Sequence, residues 1–228
     1  MGRLDDLHTA IVHHWFVTRT GGERVCEALA PLLGTPDLYA LVADPKGLGP
    51  TLRACRLQTS GLGTWPAGQT RFRHYAPLFP HFAGQFDLRD YDLVVTSDAF
   101  VLKGIQGPAR GLHVCYCHTP MRHIWPCEQD PAHVAGPFGR AVFTLLSPWL
   151  RRFDRKAAQN VDRFLANSPA VQERIAACYG REAEVIPPPV AIDRFTPTDQ
   201  RNGAYLFVGR LVPYKRADLA VTACSRLG

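Results

Sequence analysis

The stretch LHVCYCHTPMRHIW, residues 112–125, carries the clearest indication of how this chain folds. Residues 112–117 form a largely apolar run, as expected for a strand of a parallel sheet that is covered on both faces. The run breaks at Thr119-Pro120; His118 stands at its carboxyl end, and Arg122 follows one turn later. Because ligands of open α/β sheets bind at the carboxyl ends of the strands, His118 is a candidate ligand-binding residue.

On either side of this stretch, short apolar runs alternate with helical patterns. Such alternation predicts an α/β fold with a doubly wound parallel sheet. Further strands are predicted at residues 8–15, 37–43, 93–96, 163–166, 183–186 and 204–208, and helices at 22–33, 137–160 (interrupted at Pro148), 168–179 and 216–227.

Two of the predicted helices have recognisable signals at their ends. The helix over 22–33 should bend or end at Pro31, since an interior proline costs roughly 3 kcal/mol. The helix over 168–179 has Ser168 to cap it, Pro169 at its first position and Gly180 at its end. The predicted apolar faces are Val25, Ala28, Leu29 and Leu32 in the first helix, and Val171, Ile175 and Cys178 in the second.

The composition restricts the class of protein. The 228 residues are 46% hydrophobic, enough for a sizeable core, yet no run reaches the roughly 20 apolar residues of a transmembrane helix. The amino-terminal segment lacks the apolar run of a secretory signal, and the seven cysteines are too sparse for a disulfide scaffold. We therefore expect a cytoplasmic protein with reduced thiols. Its net charge of +6, mostly from arginine, favours phosphate-bearing or anionic partners.

A proline-rich segment divides the chain. Pro187-Pro188-Pro189 and Pro197 predict a stiff, extended linker. We expect one Rossmann-like domain over residues 1–186, the linker over 187–203 and the start of a second domain over 204–228. That last part has one predicted strand and one predicted helix, too little to fold alone, so the sequence is expected to be truncated within its second domain.

Two glycines follow the first predicted strand, in RTGGERV at residues 19–25. Gly21 and Gly22 would let the backbone approach a ligand closely, and the helix that begins there offers free N–H groups to a phosphate. The same pair could serve only as a tight turn, and its spacing is not that of a dinucleotide-binding loop.

A second candidate phosphate site lies in YLFVGRLVPYKRADLAV, residues 205–221. Arg210 and Lys215 flank a short loop between the last predicted strand and the last predicted helix. Arginine binds phosphate in a bidentate way and lysine adds a point charge, so the pair could clamp a diphosphate. A solvated basic loop is the alternative.

The segment RFRHYAPLFPHF, residues 71–82, interleaves basic and aromatic side chains. Arg71, Arg73 and Tyr75 are candidates for contact with an anionic membrane or a lipid-linked acceptor. A proline-kinked lid and ordinary packing remain alternatives. Nucleic-acid binding is not predicted, because no recognised module accompanies the pattern. The basic residues within 151–156 are interpreted as a solvated helix face.

Cys115, Cys117 and His118 could together suggest a metal site. The C-x-C-H pattern lacks the usual spacing of zinc ligands, and no second pair of ligands stands out in the sequence. We therefore predict no bound metal.

Six segments, in order, resemble the family 4 retaining glycosyltransferases of the GT-B fold, especially the bacterial branch that builds cell-surface polysaccharides. The resemblance covers nearly the whole chain, and the HTPMR run is most similar to mannosyltransferases. The segments are GGERVCEALAPLL (21–33), FDLRDYDLVVTSDAF (86–100), CYCHTPMRHIW (115–125), LANSPAVQERIAACYG (165–180), VIPPPVAIDRF (185–195) and YLFVGRLVPYKRADLAV (205–221).

This resemblance implies two Rossmann-like domains facing a cleft, with the acceptor mainly on the first and the nucleotide sugar mainly on the second. Carried over by motif, Gly21 and Gly22 bring N–H groups to the donor phosphates, and His118 contacts the transferred sugar. Arg210 and Lys215 hold the diphosphate and offset the charge of the leaving group. The expected catalytic residues are His118, Arg210 and Lys215; the candidate acceptor or membrane contacts are Arg71, Arg73, Tyr75 and Arg122.

The resemblance also implies a reaction. A hexose, with mannose favoured, moves from a GDP- or UDP-sugar to a lipid-linked or growing glycan, with retention of configuration and without metal or cofactor. Contact with the inner face of the plasma membrane is expected to be peripheral. The family's paired glutamates are absent because the sequence ends before their position, so these residues alone are expected to be inactive. An acceptor-binding module without turnover is the main alternative; a sugar-nucleotide epimerase is disfavoured because its motifs do not match.

Overall fold

The computed structural model describes residues 7–122, 124–125, 132–197, 203–209, 211 and 215–227. It contains a sheet of seven parallel strands, which confirms the α/β fold predicted from the alternation of elements. The short strand β3 was not predicted, since LQT offers little strand pattern. The strands are β1 (Thr9–Phe16), β2 (Asp37–Ala43), β3 (Leu57–Thr59), β4 (Leu93–Asp98), β5 (Leu112–Cys117), β6 (Arg163–Ala166) and β7 (Ala183–Val185).

The order of the strands places a crevice at the centre of the sheet. The order is β3-β2-β1-β4-β5-β6-β7, so the chain winds outward from β1 in one direction and from β4 in the other. In the pair β1–β4, Ala10 lies opposite Val94 and His13 lies opposite Ser97. At such a topological switch point the connections leave in opposite directions, and a ligand crevice opens at the carboxyl ends of the two strands.

The helices cover both faces of the sheet. They are α1 (Gly21–Leu29), α2 (Phe79–Ala83), α3 (Ala132–Gln159) and α4 (Pro169–Tyr179); a further helix, α5 (Ala217–Leu227), follows later in the chain. On one face, α1 packs with Ile11 and Val95; on the other, α3 and α4 pack with Val12 and Val94. Because side chains alternate along a strand, each central strand supplies both cores.

The two helix-end predictions are confirmed. The α-helical part of the first helix ends at Leu29, and a tighter 3₁₀ turn (Ala30–Leu33) carries Pro31. Helix α4 begins with the Ser168 side chain accepting a hydrogen bond from the N–H of Val171, and ends at Gly180 in the left-handed conformation with φ of 65°. Glycine adopts that conformation without steric cost. The predicted apolar face of α4 is buried.

Two helix predictions are wrong in detail. The buried face of the first helix consists of Val25, Cys26, Ala30 and Leu33, whereas Ala28 and Leu32 are exposed. The 3₁₀ turn winds at three residues per turn, so its buried positions are 30 and 33, three residues apart. The long helix is also not interrupted at Pro148; α3 is continuous across it, because a proline removes one hydrogen bond without necessarily ending a helix.

The carboxyl-terminal segment differs most from the prediction. Residues 204–208 do not form a strand with any described part of the chain, and Leu206 and Val208 are 87% and 83% exposed. A strand needs a neighbouring strand to satisfy its backbone, and none lies beside this segment in the described part of the chain. The predicted helix is present as α5. No helix in the described residues is both long enough and apolar enough to span a bilayer.

Candidate functional site

The polar residues of the central strands gather at the carboxyl edge of the sheet, at the switch point. β1 contributes His13 and His14, β4 contributes Ser97 and Asp98, and His118 follows β5 directly. Adjacent residues of a strand point to opposite faces, so His13 and Ser97 face α1, while His14 and Asp98 face the side of α3 and α4. The sheet thus separates two polar clusters, although their residues are adjacent in sequence along β1 and β4.

The first cluster, which we call the histidine crevice, consists of His13, Gly22, Ser97 and His118. The Ser97 hydroxyl oxygen lies 3.0 Å from Nδ1 of His13 and 2.8 Å from Nε2 of His118. Nδ1 of His13 also lies 3.1 Å from the Ser97 carbonyl oxygen. The two imidazole rings stand edge to face with centroids 6.4 Å apart. One buried serine therefore joins two histidines from different strands.

Gly22 lies against both rings. A Cβ atom at Gly22 would stand 2.8 Å from Cε1 of His13 and 3.6 Å from Nε2 of His118, and only a glycine avoids the first contact. A Cβ at Gly21 would meet nothing within 4 Å, so Gly21 is not required by packing. Both residues belong to the first turn of α1, whose N–H groups have no partner within the helix.

Glu23 stabilises the loop that precedes α1. Its buried carboxylate accepts hydrogen bonds from the Thr18 hydroxyl, the Thr20 hydroxyl and the Thr20 N–H, at 2.7 to 3.1 Å. A carboxylate at the third helical position that binds back to the capping residue is a capping-box arrangement. The loop that carries Gly21 and Gly22 is therefore fixed from within.

The histidines of the crevice are neutral at physiological pH. Burial, with smaller contributions from His14 and His118, holds the pKa of His13 well below its usual value. Burial and the neighbouring His14 lower the pKa of His118 to about 4. A neutral imidazole has one nitrogen that donates and one that accepts, so each ring can form two different kinds of hydrogen bond.

The second cluster, which we call the buried charge cluster, consists of Asp98, Lys103 and Asp154. The Lys103 ammonium lies 2.8 Å from Asp98 and 2.6 Å from Asp154, and it donates to the Phe100 carbonyl at 3.0 Å. Three oxygen atoms thus lie within 3.0 Å of the ammonium nitrogen, and the contact with Asp154 is an ion pair without hydrogen-bond geometry. All three charged side chains are almost completely buried.

Further contacts complete the charge cluster. The second oxygen of Asp154 accepts from the Trp125 indole at 2.7 Å and from the Tyr179 hydroxyl at 2.8 Å. Asp98 accepts from the backbone N–H groups of residues 100 and 102, and its Oδ1 lies 3.1 Å from Nε2 of His14. The cluster therefore ties β4 to α3 and α4.

The pairing in this cluster keeps Asp98 and Lys103 charged. Burial alone would raise the pKa of Asp98, but the charge of Lys103 and the contact with His14 outweigh it and hold the pKa well below the usual value. Burial would lower the pKa of Lys103, yet Asp154 and Asp98 raise it well above its usual value. An ammonium and two carboxylates can remain ionised in the interior only with such mutual compensation.

The structure brings two of the predicted site residues together, His118 and Gly22, with Gly21 next to them. Arg122 is exposed, and Arg210 lies outside the described residues. Lys215 is exposed just before α5. The roles given to these residues stay predictions.

The aromatic residues of the segment 71–82 are used largely for packing. Phe72, Phe79 and Phe82 are buried in the core, and the Arg73 guanidinium lies over the rings of Phe72 and Trp15 at 4.6 and 5.1 Å. The Tyr75 hydroxyl donates to the Pro66 carbonyl. These phenylalanines are therefore not available to a membrane, while Arg71 remains exposed.

Cys115 and Cys117 lie side by side in the core and carry free thiols. Burial and the neighbouring thiol of Cys115 raise the pKa of Cys117 well above its usual value, with the hydrogen bond to Cys115 as the main cause. In the described part of the chain, no group of three or more His, Cys, Asp or Glu side chains has the arrangement of a metal site.

Several site residues were missed at the level of the sequence. A usable signal was present in two places, because HH and SD interrupt apolar runs at the ends of strands one and four, in IVHHWF and LVVTSD. Polar residues at that position of an α/β strand point toward the ligand edge. No comparable signal pairs Lys103 with Asp154, which are 51 positions apart on a loop and a helix. The Thr119 hydroxyl, buried and without a hydrogen-bond partner among the described residues, also went unnoticed.

Comparison with known proteins identifies the family. Residues 19–194 match the profile of Glycosyltransferase Family 4. An 88-residue stretch is 34% identical to the D-inositol 3-phosphate glycosyltransferase of Geodermatophilus obscurus, and this match covers 32% of the chain and 20% of the relative's length. The matched region includes Gly22, Ser97 and His118 of the histidine crevice and the whole buried charge cluster. It does not include the two histidines of β1, His13 and His14, which come before residue 19. The chain belongs to glycosyltransferase family 4.

Proposed function

We propose that this protein is a glycosyltransferase that moves a hexose from a nucleotide sugar to an acceptor, with the histidine crevice at the reacting sugar. The observation that carries the proposal is the position of His118. It follows β5 at the switch point of the sheet and lies against Gly22 at the start of a helix. Membership of family 4 supplies the reaction class.

The proposed roles follow from the chemistry of each group. The first-turn N–H groups at Gly21 and Gly22 bind a phosphate oxygen of the donor, because a helix amino terminus favours an anion. His118 hydrogen-bonds the transferred sugar. Arg210 and Lys215 stabilise the diphosphate that leaves as the glycosidic bond breaks, since fixed positive charge at a developing anion lowers the barrier. No metal takes part in this proposal.

The proposed substrates are a GDP- or UDP-hexose, with GDP-mannose first, and a lipid-linked or oligosaccharide acceptor for cell-surface polysaccharide. Configuration at the transferred carbon is retained. Arg71, Arg73, Tyr75 and Arg122 are the proposed contacts with the acceptor or with an anionic membrane at its cytoplasmic face. The relative named above acts, by its name, on an inositol phosphate, so D-inositol 3-phosphate belongs in the panel of acceptors.

A transfer assay on the full-length protein tests the proposal. GDP-mannose, UDP-glucose and related donors are offered with the acceptor panel in excess EDTA, and release of GDP or UDP is measured together with the glycosylated product. We expect transfer by the wild-type protein and none by His118→Ala or Lys215→Ala, because each variant loses a group that binds the donor. Both variants should remain folded, which thermal unfolding checks.

Matched controls show whether a loss of activity is specific to the proposed site or follows from replacing any histidine or lysine. His8→Ala removes an exposed histidine at the opposite, amino edge of β1, and Lys156→Ala removes an exposed lysine of α3. Both controls should transfer at the wild-type rate. Full activity in His118→Ala and Lys215→Ala would remove these residues from the site, and activity that EDTA abolishes and a divalent ion restores would overturn the metal-free mechanism.

A further inference from the structure

Ser97 occupies a position that decides how the neighbouring imidazole rings carry their protons. Its side chain is fully buried, and its one hydroxyl lies between Nδ1 of His13 and Nε2 of His118. A hydroxyl has a single proton to donate, together with two lone pairs. Only one of these two nitrogens can therefore receive that proton.

The backbone of Ser97 settles which nitrogen it is. Nδ1 of His13 lies 3.1 Å from the Ser97 carbonyl oxygen, and a carbonyl oxygen can only accept. Nδ1 of His13 must therefore carry hydrogen, and it shares that hydrogen between the carbonyl oxygen and the hydroxyl oxygen. The Ser97 hydroxyl then accepts from His13, and among the described residues the strong acceptor within reach of its own proton is Nε2 of His118, at 2.8 Å.

The remaining neighbour of Ser97 does not compete for its proton. The Cys26 thiol lies within hydrogen-bond reach of the Ser97 side chain, and burial raises the pKa of Cys26 to about 12. The group is thus a thiol, which can donate weakly to the hydroxyl oxygen and is a poor acceptor. The proton of Ser97 remains directed at His118.

We propose that Ser97 is a positioning residue that holds His118 in the tautomer with hydrogen on Nδ1, so that this N–H is presented to the substrate. The proposal rests on the function proposed above. Which imidazole nitrogen carries the proton is set by the hydrogen bond that the other nitrogen makes. No described residue hydrogen-bonds Nδ1 of His118, so this N–H is available to a ligand in the crevice.

The tautomer has a consequence for recognition. A ring nitrogen that carries hydrogen donates and cannot accept, so His118 selects a substrate atom with a lone pair at that position, such as a sugar hydroxyl oxygen or a phosphate oxygen. The opposite tautomer would place a bare lone pair there, which would repel a phosphate oxygen and could bind a sugar hydroxyl only as an acceptor. Ser97 thus contributes to the transfer without touching the substrate.

Nitrogen-15 NMR of histidine-labelled protein tests the tautomer directly, without substrate. In the wild type we expect the Nε2 resonance of His118 in the range of an unprotonated imidazole nitrogen and Nδ1 in the range of a protonated one. Ser97→Ala removes only the hydroxyl and keeps the carbonyl that binds His13, so it should move His118 toward the Nε2–H form. The matched control is Ser60→Ala, which deletes another buried hydroxyl, one bonded to the Leu41 carbonyl, and should leave the His118 resonances unchanged.

Kinetics on the full-length protein test the consequence. We expect Ser97→Ala to lower kcat by roughly 10- to 100-fold with little change in KM, as when other groups that orient a functional histidine are removed, and Ser97→Thr, which keeps the hydroxyl, to recover part of the loss. A wild-type His118 with hydrogen on Nε2, or a Ser97→Ala protein with unchanged tautomer, would overturn the proposal. If the full-length protein transfers no sugar from any donor, the proposed function fails, while the NMR result still decides what Ser97 does to His118.

Discussion

The carboxyl ends of β1 and β4 carry a different polar cluster on each face of the sheet. On the face of α1, His13 and Ser97 belong to the histidine crevice, in which a ring nitrogen of His118 makes no hydrogen bond to any described residue. On the face of α3 and α4, the next residue of β4, Asp98, pairs with Lys103, whose ammonium nitrogen lies within 3.0 Å of oxygens of Asp98, Asp154 and Phe100. One cluster offers groups to a ligand, and the other uses its groups within the protein.

This difference assigns separate tasks to the clusters. A buried cluster of oppositely charged groups resists movement, because separating its ions would leave a charge unpaired in the interior. Asp98 belongs to that cluster and adjoins Ser97 in β4, so the charge cluster fixes the strand end on which the crevice is built. We infer that the closed cluster contributes mainly to stability and the open cluster mainly to substrate binding.

The largest expected effect comes from opening the closed cluster. Lys103→Met removes the charge but keeps most of the side-chain length, which leaves Asp98 and Asp154 without their cation in the interior. Breaking a buried ion pair in this way costs about 3–5 kcal/mol. Urea unfolding of the variant and the wild type measures the loss in the free energy of unfolding.

Lys156→Met is the control for this prediction. Lys156 lies exposed on α3, and its replacement should change the free energy of unfolding by no more than about 0.5 kcal/mol. If Lys103→Met were as stable as the control, the cluster would not have the structural role that its contacts indicate.

The dependence of stability on pH distinguishes the clusters further. His118 has a pKa of about 4 in the folded chain and an ordinary value of 6.5, so between these values the unfolded state binds a proton that the folded state does not. Stability must therefore fall as the pH decreases from 6.5 to about 4, and His118 contributes up to roughly 3 kcal/mol of that loss. Asp98 and Lys103 contribute nothing in this interval, because their pKa values lie below and above it.

Urea unfolding at several pH values between 4 and 7 measures this contribution. His118→Gln should show a shallower decline in stability than the wild type over that interval, so its stability relative to the wild type should rise toward the acid end. Parallel curves would mean that His118 titrates alike in the folded and unfolded states, contrary to its buried position.

The sequence was sufficient to predict the open cluster in part. His118 and Gly22 each lie just after a recognisable strand, and parallel strands bring their carboxyl ends to one edge, so strand boundaries alone place these residues together. His13 and Ser97 were accessible by the same reasoning, but recognising them required reading polar residues inside apolar runs as a signal. The tautomer could not have been predicted, since it depends on a 3.1 Å contact with a backbone carbonyl.

The closed cluster could not be predicted for a different reason. Its ion pair joins Lys103, in a short turn after β4, to Asp154, on the second turn from the end of α3. That contact depends on how the long helix packs against the sheet. Charged residues in such positions are usually solvated, so composition favours the wrong interpretation. The strand wrongly predicted at 204–208 has a related cause, because an apolar run becomes a strand only where another strand pairs with it.

The smallest expected effect concerns the two adjacent glycines, which form a natural matched pair at the edge of the open cluster. Gly22→Ala would place a methyl group 2.8 Å from the His13 ring, so the ring or α1 must shift, at a cost of about 1–3 kcal/mol. Gly21→Ala meets no atom within 4 Å and should be neutral or stabilising by up to about 1 kcal/mol, since alanine favours the helix. Thermal unfolding compares the stabilities of the two variants, and transfer rates of the full-length proteins compare their activities. Equal stability and equal activity in both would show that Gly22 does not set the spacing between α1 and the histidines, and the crevice would then have to be defined by the strands alone.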